Sequence, residues 1–464
     1  MSFPSVVKSH IVGGGAFTEF SRLFSVESKV KPLLYSTFCL FLGEAIFATV
    51  FNLHLAGQLS MSFAWVSSVY SVSMVAGALL SLPIGYICDH IGRRFVLKSG
   101  FYCWLLGLVG MSLFSSASLL VSFSILHGVG MAAVWTAFAP EITELTPPSQ
   151  HVRAFSANFV MMFAGSVAGY IAGGLLPDVV PFLFGEGISE YRITMMIGSF
   201  CLFPSYRLLS SLPEEHYSKS RYKLTHASKT ERTRRLITTI EVLVPYLLSG
   251  VAVGLSTPFI NIFLRSYFDL PDHTIGFSLA AVSAIQALLI ALIPVFSKAF
   301  GRVGIAFASL VLAAPVLASV TWLKSPLLSI VLIVIGVSLV HMSLPLQISF
   351  AMRQYPTLMR GFVSSEMAAA WYFSIAMGAF LSVSFSANQL EFIGRSYLPA
   401  AIFALIGGVL YWIFWRKRNK VKELSQPSGE HLLFSHGPSG RFVQIDSQCE
   451  SCEDRLFSFR KVDK

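Results

Sequence analysis

Twelve apolar runs dominate this sequence. Six fall at 33–55, 62–86, 96–117, 119–143, 153–176 and 191–212. After a polar gap six more follow, at 239–264, 274–297, 304–323, 327–350, 361–387 and 395–415. A helix needs roughly 20 residues to cross the hydrocarbon core, and each run is close to that. Inside lipid no water is available for backbone N–H and C=O groups, so such runs must satisfy them internally, as helices do. Hydrophobic residues make up 54% of the chain and charged residues 12%, against about 25% charged in soluble domains. The expectation is an all-α membrane protein with twelve transmembrane helices. The first thirty residues hold Lys8, Gly13, Gly14, Gly15 and Glu19 but no long apolar core. No cleavable signal peptide is therefore expected, and the first run would itself direct insertion.

The net charge of +10 raises the question of nucleic acid, but the basic residues sit in alternate loops, which is a topology signal. Arg93, Arg94, Arg153, Lys298, Arg302, Arg353 and Arg360 fall on one side, with Lys29, Lys31, Arg416, Lys417 and Arg418 at the ends. The opposite loops carry Asp178, Glu186, Glu190, Asp269 and Asp272, with few basic residues. Both termini are therefore expected in the cytoplasm, and the plasma membrane is the expected location. The organisation read from these patterns is an N-terminal segment 1–30, a six-helix half 31–212 and a basic linker 213–238 without a fold of its own. A second half 239–415 and a polar tail 416–464 complete it. Cys39, Cys88, Cys103 and Cys201 lie in or beside runs, so no disulfide framework is expected. Cys449 and Cys452 in the tail lack a second pair with metal-ligand spacing, and no metal site is expected.

The two halves repeat. Phe51-Asn52-Leu53-His54-Leu55 matches Ile260-Asn261-Ile262-Phe263-Leu264, and Gly92-Arg93 matches Gly301-Arg302. The pairs 52/261, 92/301 and 93/302 share one offset of 209. A duplicated six-span unit suits a transporter with its site at the interface of two halves.

The link between the second and third runs reads Gly85-Tyr-Ile-Cys-Asp89-His-Ile-Gly92-Arg93-Arg94. It resembles the loop between helices two and three of the major facilitator superfamily, which has Gly, three residues, Asp, two residues, Gly and two basic residues. His90 stands where the family usually has a basic residue. The resemblance covers roughly residues 30–415. It implies the major facilitator fold, two six-helix pseudo-repeats rocking around a central cavity, with a cytoplasmic gate. Gate candidates are Gly85, Asp89, Gly92, Arg93 and Arg94, with Glu141 and Glu144 closing the fourth run and Arg153 opening the fifth. Glu366, early in the eleventh run, is a further one. Gly165, Gly169 and Gly173 recur at every fourth position, which gives a helix face smooth enough for close packing. With Gly174 they resemble the fifth-helix motif of the family's antiporters, where Tyr170 stands in place of a Pro.

An ionisable side chain at the centre of a span costs about 2.5–3.5 kcal/mol, so each needs a reason. Glu44 lies mid-way in the first run, followed by Asn52 and His54. His127 is in the fourth run, Gln286 in the eighth, and His341 and Gln347 in the tenth. The family lines its cavity with helices one, four, seven and ten. By resemblance Glu44, Asn52, His127, Asn261, Gln286 and His341 are the candidates for substrate or proton contact. A lone Asn or Gln in a span serves equally well as interhelical glue. Phe41, Phe47, Trp135, Trp371 and Tyr372 suit a cavity wall or bundle packing alike. No nucleotide-binding or nucleophile motif occurs, and Gly13-Gly14-Gly15 lacks the lysine of a phosphate loop. The expectation is a secondary transporter, not an enzyme, needing no cofactor, with a small organic solute and protons as partners and a monomer sufficient. Export is favoured by the glycine stripe. Uptake by proton symport, a facilitator, and a transporter-like receptor or scaffold remain the alternatives.

Overall fold

The computed structural model describes residues 26–147, 150–185, 189–212, 229–354 and 360–425. The side chains of Asp89, Lys298, Arg353 and Arg360, residues 213–228 and both tail cysteines lie outside what is described. The described residues form helices and no strand. In chain order they are α1 (Lys31–Leu53), α2 (Phe63–Ile91), α3 (Arg93–Leu113), α4 (Ala117–Leu145) and α5 (His151–Phe184). Then come α6 (Glu190–Cys201), α7 (Phe203–Ser210), α8 (Lys229–Ser256), α9 (Ile260–Phe268) and α10 (Asp272–Val320). The last three are α11 (Pro326–Gln354), α12 (Arg360–Phe385) and α13 (Tyr397–Ser425).

Eleven helical segments among the described residues are long and apolar enough to span a membrane. The run at 191–212 is not one of them, because it is interrupted at Leu202 and divides into α6 and α7. Pro204 explains the break, since proline lacks the N–H that would continue the helix and crowds the carbonyl four residues back. The run at 239–264 is likewise divided, between α8 and α9. α8 begins at Lys229, inside the stretch expected as a linker. Its polar first turns extend a helix that the apolar residues behind them hold in place. α10 runs through two apolar spans and bends at Gly301, where φ is 69°. Its counterpart in the repeat, Gly92, has φ of 122° and separates α2 from α3. Both positions need a residue without a Cβ, for which positive φ is inexpensive. The chain is an integral, multi-pass membrane protein, and the exposed large apolar side chains on its helices, Leu79, Phe182 and Leu327 among them, are those that lipid solvates.

α1 is the hub of the first half. It packs against α5 and α6, while α3 packs on α4 and α4 on α2. The glycine stripe makes the α1–α5 contact so close that a Cβ would strike backbone. On Gly165 it would meet the carbonyl of Phe38, on Gly169 that of Leu42, and on Gly173 it would lie 2.9 Å from that of Ile46. Gly174, one residue on, faces α10 instead, where a Cβ on it would lie 2.8 Å from the Gly276 Cα. α5 thus touches α1 on one side and the second half on the other. α2 packs along α12, completing the seam between halves, while α8 packs along α12 within the second half.

Candidate functional site

Two polar clusters are built on α1, one mid-helix and one near its C-terminal end. The first centres on Glu44. Trp104 of α3 donates its indole N–H to Glu44 Oε2 at 2.7 Å. His127 Nε2 of α4 lies 3.3 Å from the same oxygen. The other ring nitrogen, Nδ1, is 2.9 Å from Ser73 Oγ of α2. Four helices of one half therefore hold one carboxylate. Trp104 is fully buried, whereas the Glu44 side chain keeps 20% exposure and His127 8%. Ser73 fixes the ring so that Nε2 faces the acid, the usual way a second partner sets imidazole orientation. Phe41 completes an aromatic surround, edge-on to Trp104 at 6.4 Å and to Trp135 at 5.8 Å. Tyr70 and Tyr170 lie within electrostatic reach of the carboxylate.

The second cluster joins the halves. Asn52 Nδ2 donates to the Pro258 carbonyl at 2.7 Å and to Asn261 Oδ1 at 3.3 Å. Asn261 Nδ2 donates to the carbonyls of Thr49 at 2.9 Å and Ala48 at 3.2 Å. Both asparagines are buried. Around them other bonds cross the seam. The Ser67 and Ser71 hydroxyls donate to the carbonyls of Ala379 and Ala376, and the Ala64 N–H to Asn388. The Tyr191 hydroxyl donates to Asp272, which also pairs with Arg265, and His273 Nδ1 lies 3.1 Å from Asp178.

The remaining candidates lie apart from both clusters. His341 bonds the Val337 carbonyl of its own helix at 2.9 Å and sits edge-on to Trp371. Gln286 is buried in α10. Gln347 donates to Ser249 and Ser343, bridging α8 and α11. At the far end of the bundle Arg93 donates to Glu144 and, at 3.2 Å, to the Pro140 carbonyl. Arg94 Nε lies 3.9 Å from Glu141 Oε1. These pairs tie α3 to α4 within one half. Arg153 opens α5 as an exposed residue. Gly85 marks the approach of α2 to the other half there, since a Cβ on it would lie 2.8 Å from Ser365 Oγ. The Asp89 side chain lies outside the described residues.

Sequence reasoning missed Trp104 and Ser73. A tryptophan mid-way in an apolar run looks like packing, and a serine in a run usually bonds its own helix. Their role appears only when three helices converge on Glu44.

The model of the family described as Major Facilitator Superfamily matches residues 33–379. Among curated relatives, "Multidrug resistance protein 3" of Bacillus subtilis is 27% identical over 143 residues, which is 30% of this chain and 26% of that protein. The match thus spans about a quarter of that relative. Among solved structures, a bacterial homologue of the human lysosomal transporter Spinster, inward-facing and unoccupied, superposes with a TM-score of 0.68. Identity is 16%, over 84% of this chain and 98% of that one. A D-xylose-proton symporter gives 0.66 at 16% identity, over 82% and 97%. These likenesses are likenesses of fold.

Proposed function

Because this chain belongs to the Major Facilitator Superfamily, we propose that it is a secondary transporter that moves a small organic solute by alternating access. Coupling to protons is assigned to the Glu44–His127 pair. Its basic residues support a cytoplasmic position for the Arg93 end of the bundle, and the plasma membrane is the proposed location. Export is the proposed direction, from the resemblance of the stripe through Gly165, Gly169 and Gly173 to that of antiporters.

One observation carries the proton reading: a carboxylate in the middle of a membrane helix, held by a histidine and an indole N–H yet not wholly buried. An anion there is unfavourable unless it is hydrogen-bonded. The Trp104 N–H and the His127 Nε2 that faces the carboxylate supply those bonds, so the charge is tolerated. When water reaches the site from one side only, a proton exchanges with that side. When the halves rock, the same site exchanges with the other. No group need move far, and the histidine gives the pair a second group able to accept a proton.

The test begins with a thermal-shift screen for the solute, since ligand binding raises apparent stability. Flux of that solute into reconstituted vesicles is then measured with and without a pH gradient. Glu44→Gln, which keeps shape but fixes a neutral group, is expected to abolish gradient-driven accumulation and to retain exchange at equal pH. Accumulation against a gradient by Glu44→Gln removes this site from coupling. A wild type indifferent to the gradient removes protons altogether.

A further inference from the structure

The break between α8 and α9 leaves several helical bonds unmade, that of the Ile262 N–H among them. In a continuous helix the Ile262 N–H would reach the Pro258 carbonyl. Here Ile262 N–H donates to Asn261 Oδ1 at 2.9 Å, and the Pro258 carbonyl takes Asn52 Nδ2 at 2.7 Å. The two asparagines, 3.3 Å apart, thus occupy the donor and the acceptor of the missing bond. Helical bonding resumes with Phe263 N–H to Phe259 at 2.9 Å. Asn261 meanwhile anchors to the Ala48 and Thr49 carbonyls. The exchange is reciprocal, each asparagine bonding backbone of the opposite half, and the two stand at equivalent places in the sequence repeat.

From this geometry we infer that Asn52 and Asn261 form a clamp that must release for the Asn52 end of the transporter to open, and whose release lets the Ile262 N–H return to the Pro258 carbonyl. The inference rests on the alternating-access reading, though not on protons or on any particular solute. The closed clamp also leaves Asn52 Oδ1 and Thr257 Oγ1 buried without a protein partner. Buried groups in that condition disfavour the state that contains them. Separation of the halves exposes both to water, returns Ile262 N–H to Pro258, and so offsets the bonds lost. The clamp is therefore suited to open and shut, unlike a purely packed seam. The alternative, a static seam between halves, predicts no change at Ile262.

The test needs neither solute nor proton gradient, so its outcome is independent of the flux experiment. In a chain with its native cysteines replaced by serine, Ser67→Cys places a thiol in the buried seam beside Ala379. Labelling by a membrane-impermeant maleimide is followed together with hydrogen exchange of the Ile262 amide. Asn52→Ala and Asn261→Ala are each expected to raise the labelling rate several-fold. The double variant should add little to the larger single effect, as for groups acting as one unit. Asn52→Ala should slow exchange at Ile262 as the bond to Pro258 forms. Where an alanine variant fails to fold, Asn52→Ser, too short to reach Pro258, is read in the same way. Unchanged labelling and unchanged exchange in the folded variants overturn the clamp.

Discussion

Glu44 shows how much one residue depends on its neighbours. Its carboxylate accepts from Trp104, and its other partner, His127, is oriented by Ser73. Trp104→Phe keeps the ring and removes the N–H, so the anion loses one charge-assisted bond, about 1.5–3 kcal/mol. The expected result is a lower thermal midpoint, with a smaller loss in a Glu44→Gln background, where the acceptor is neutral. A loss equal in both backgrounds would make Trp104 a packing residue only. Ser73→Ala frees the imidazole to turn and is expected to weaken proton-driven flux while leaving exchange at equal pH. The sequence marked Glu44 and His127 because charge in an apolar run is rare. It left Trp104 and Ser73 unmarked because neither is rare there.

At the scale of elements, glycine decides which helices touch. Gly169 faces the Leu42 carbonyl closely enough that any Cβ forces the backbones apart. Gly304, by contrast, would place a Cβ no nearer than 3.8 Å, to Phe300. Gly169→Ala should therefore destabilise by about 1–3 kcal/mol, the range for overpacking. Gly304→Ala should be neutral or stabilising by up to about 1 kcal/mol, from helix propensity. Gly169→Leu should abolish transport or folding while insertion survives. Thermal unfolding in detergent compares them, and equal effects of the two alanines would show the stripe to be free of α1. The four-residue spacing was legible in the chain. That α1 is the partner was not, because any helix with a compatible face accepts such a stripe.

At the scale of the molecule, hydrogen bonds between the halves gather at the Asn52 end, from Asn52 and Ser67 to Tyr191 and Asp178. At the other end the ion pairs Arg93–Glu144 and Arg94–Glu141 tie α3 to α4 inside one half. We propose that a gate there turns on Asp89 meeting Arg93 or a partner on α4 or α12 when that end shuts. Asp89→Asn should then favour molecules open at the Arg93 end. The expected outcome is faster cytoplasmic labelling of a cysteine at Ser365, which faces Gly85. Unchanged labelling removes Asp89 from the gate. Lys298, at the repeat position of Asp89, carries the opposite charge, and Lys298→Ala should change labelling less.

The chain by itself determined the class of the fold. Backbone polarity in lipid admits one solution for long apolar runs, and their lengths and loop charges need no tertiary knowledge to read. It also paired Gly92 with Gly301 in the repeat, the two positions at which the structure shows positive φ. Tertiary structure decided the rest. It divided 191–212 at Leu202 and carried α8 back to Lys229, because boundaries depend on a single proline or on the stability of the helix behind. It placed Asn52 and Asn261, expected along a cavity, in contact with each other in the seam. The partner each asparagine meets depends on the rotation of its helix, and that rotation is set by packing across helices, which no local pattern encodes.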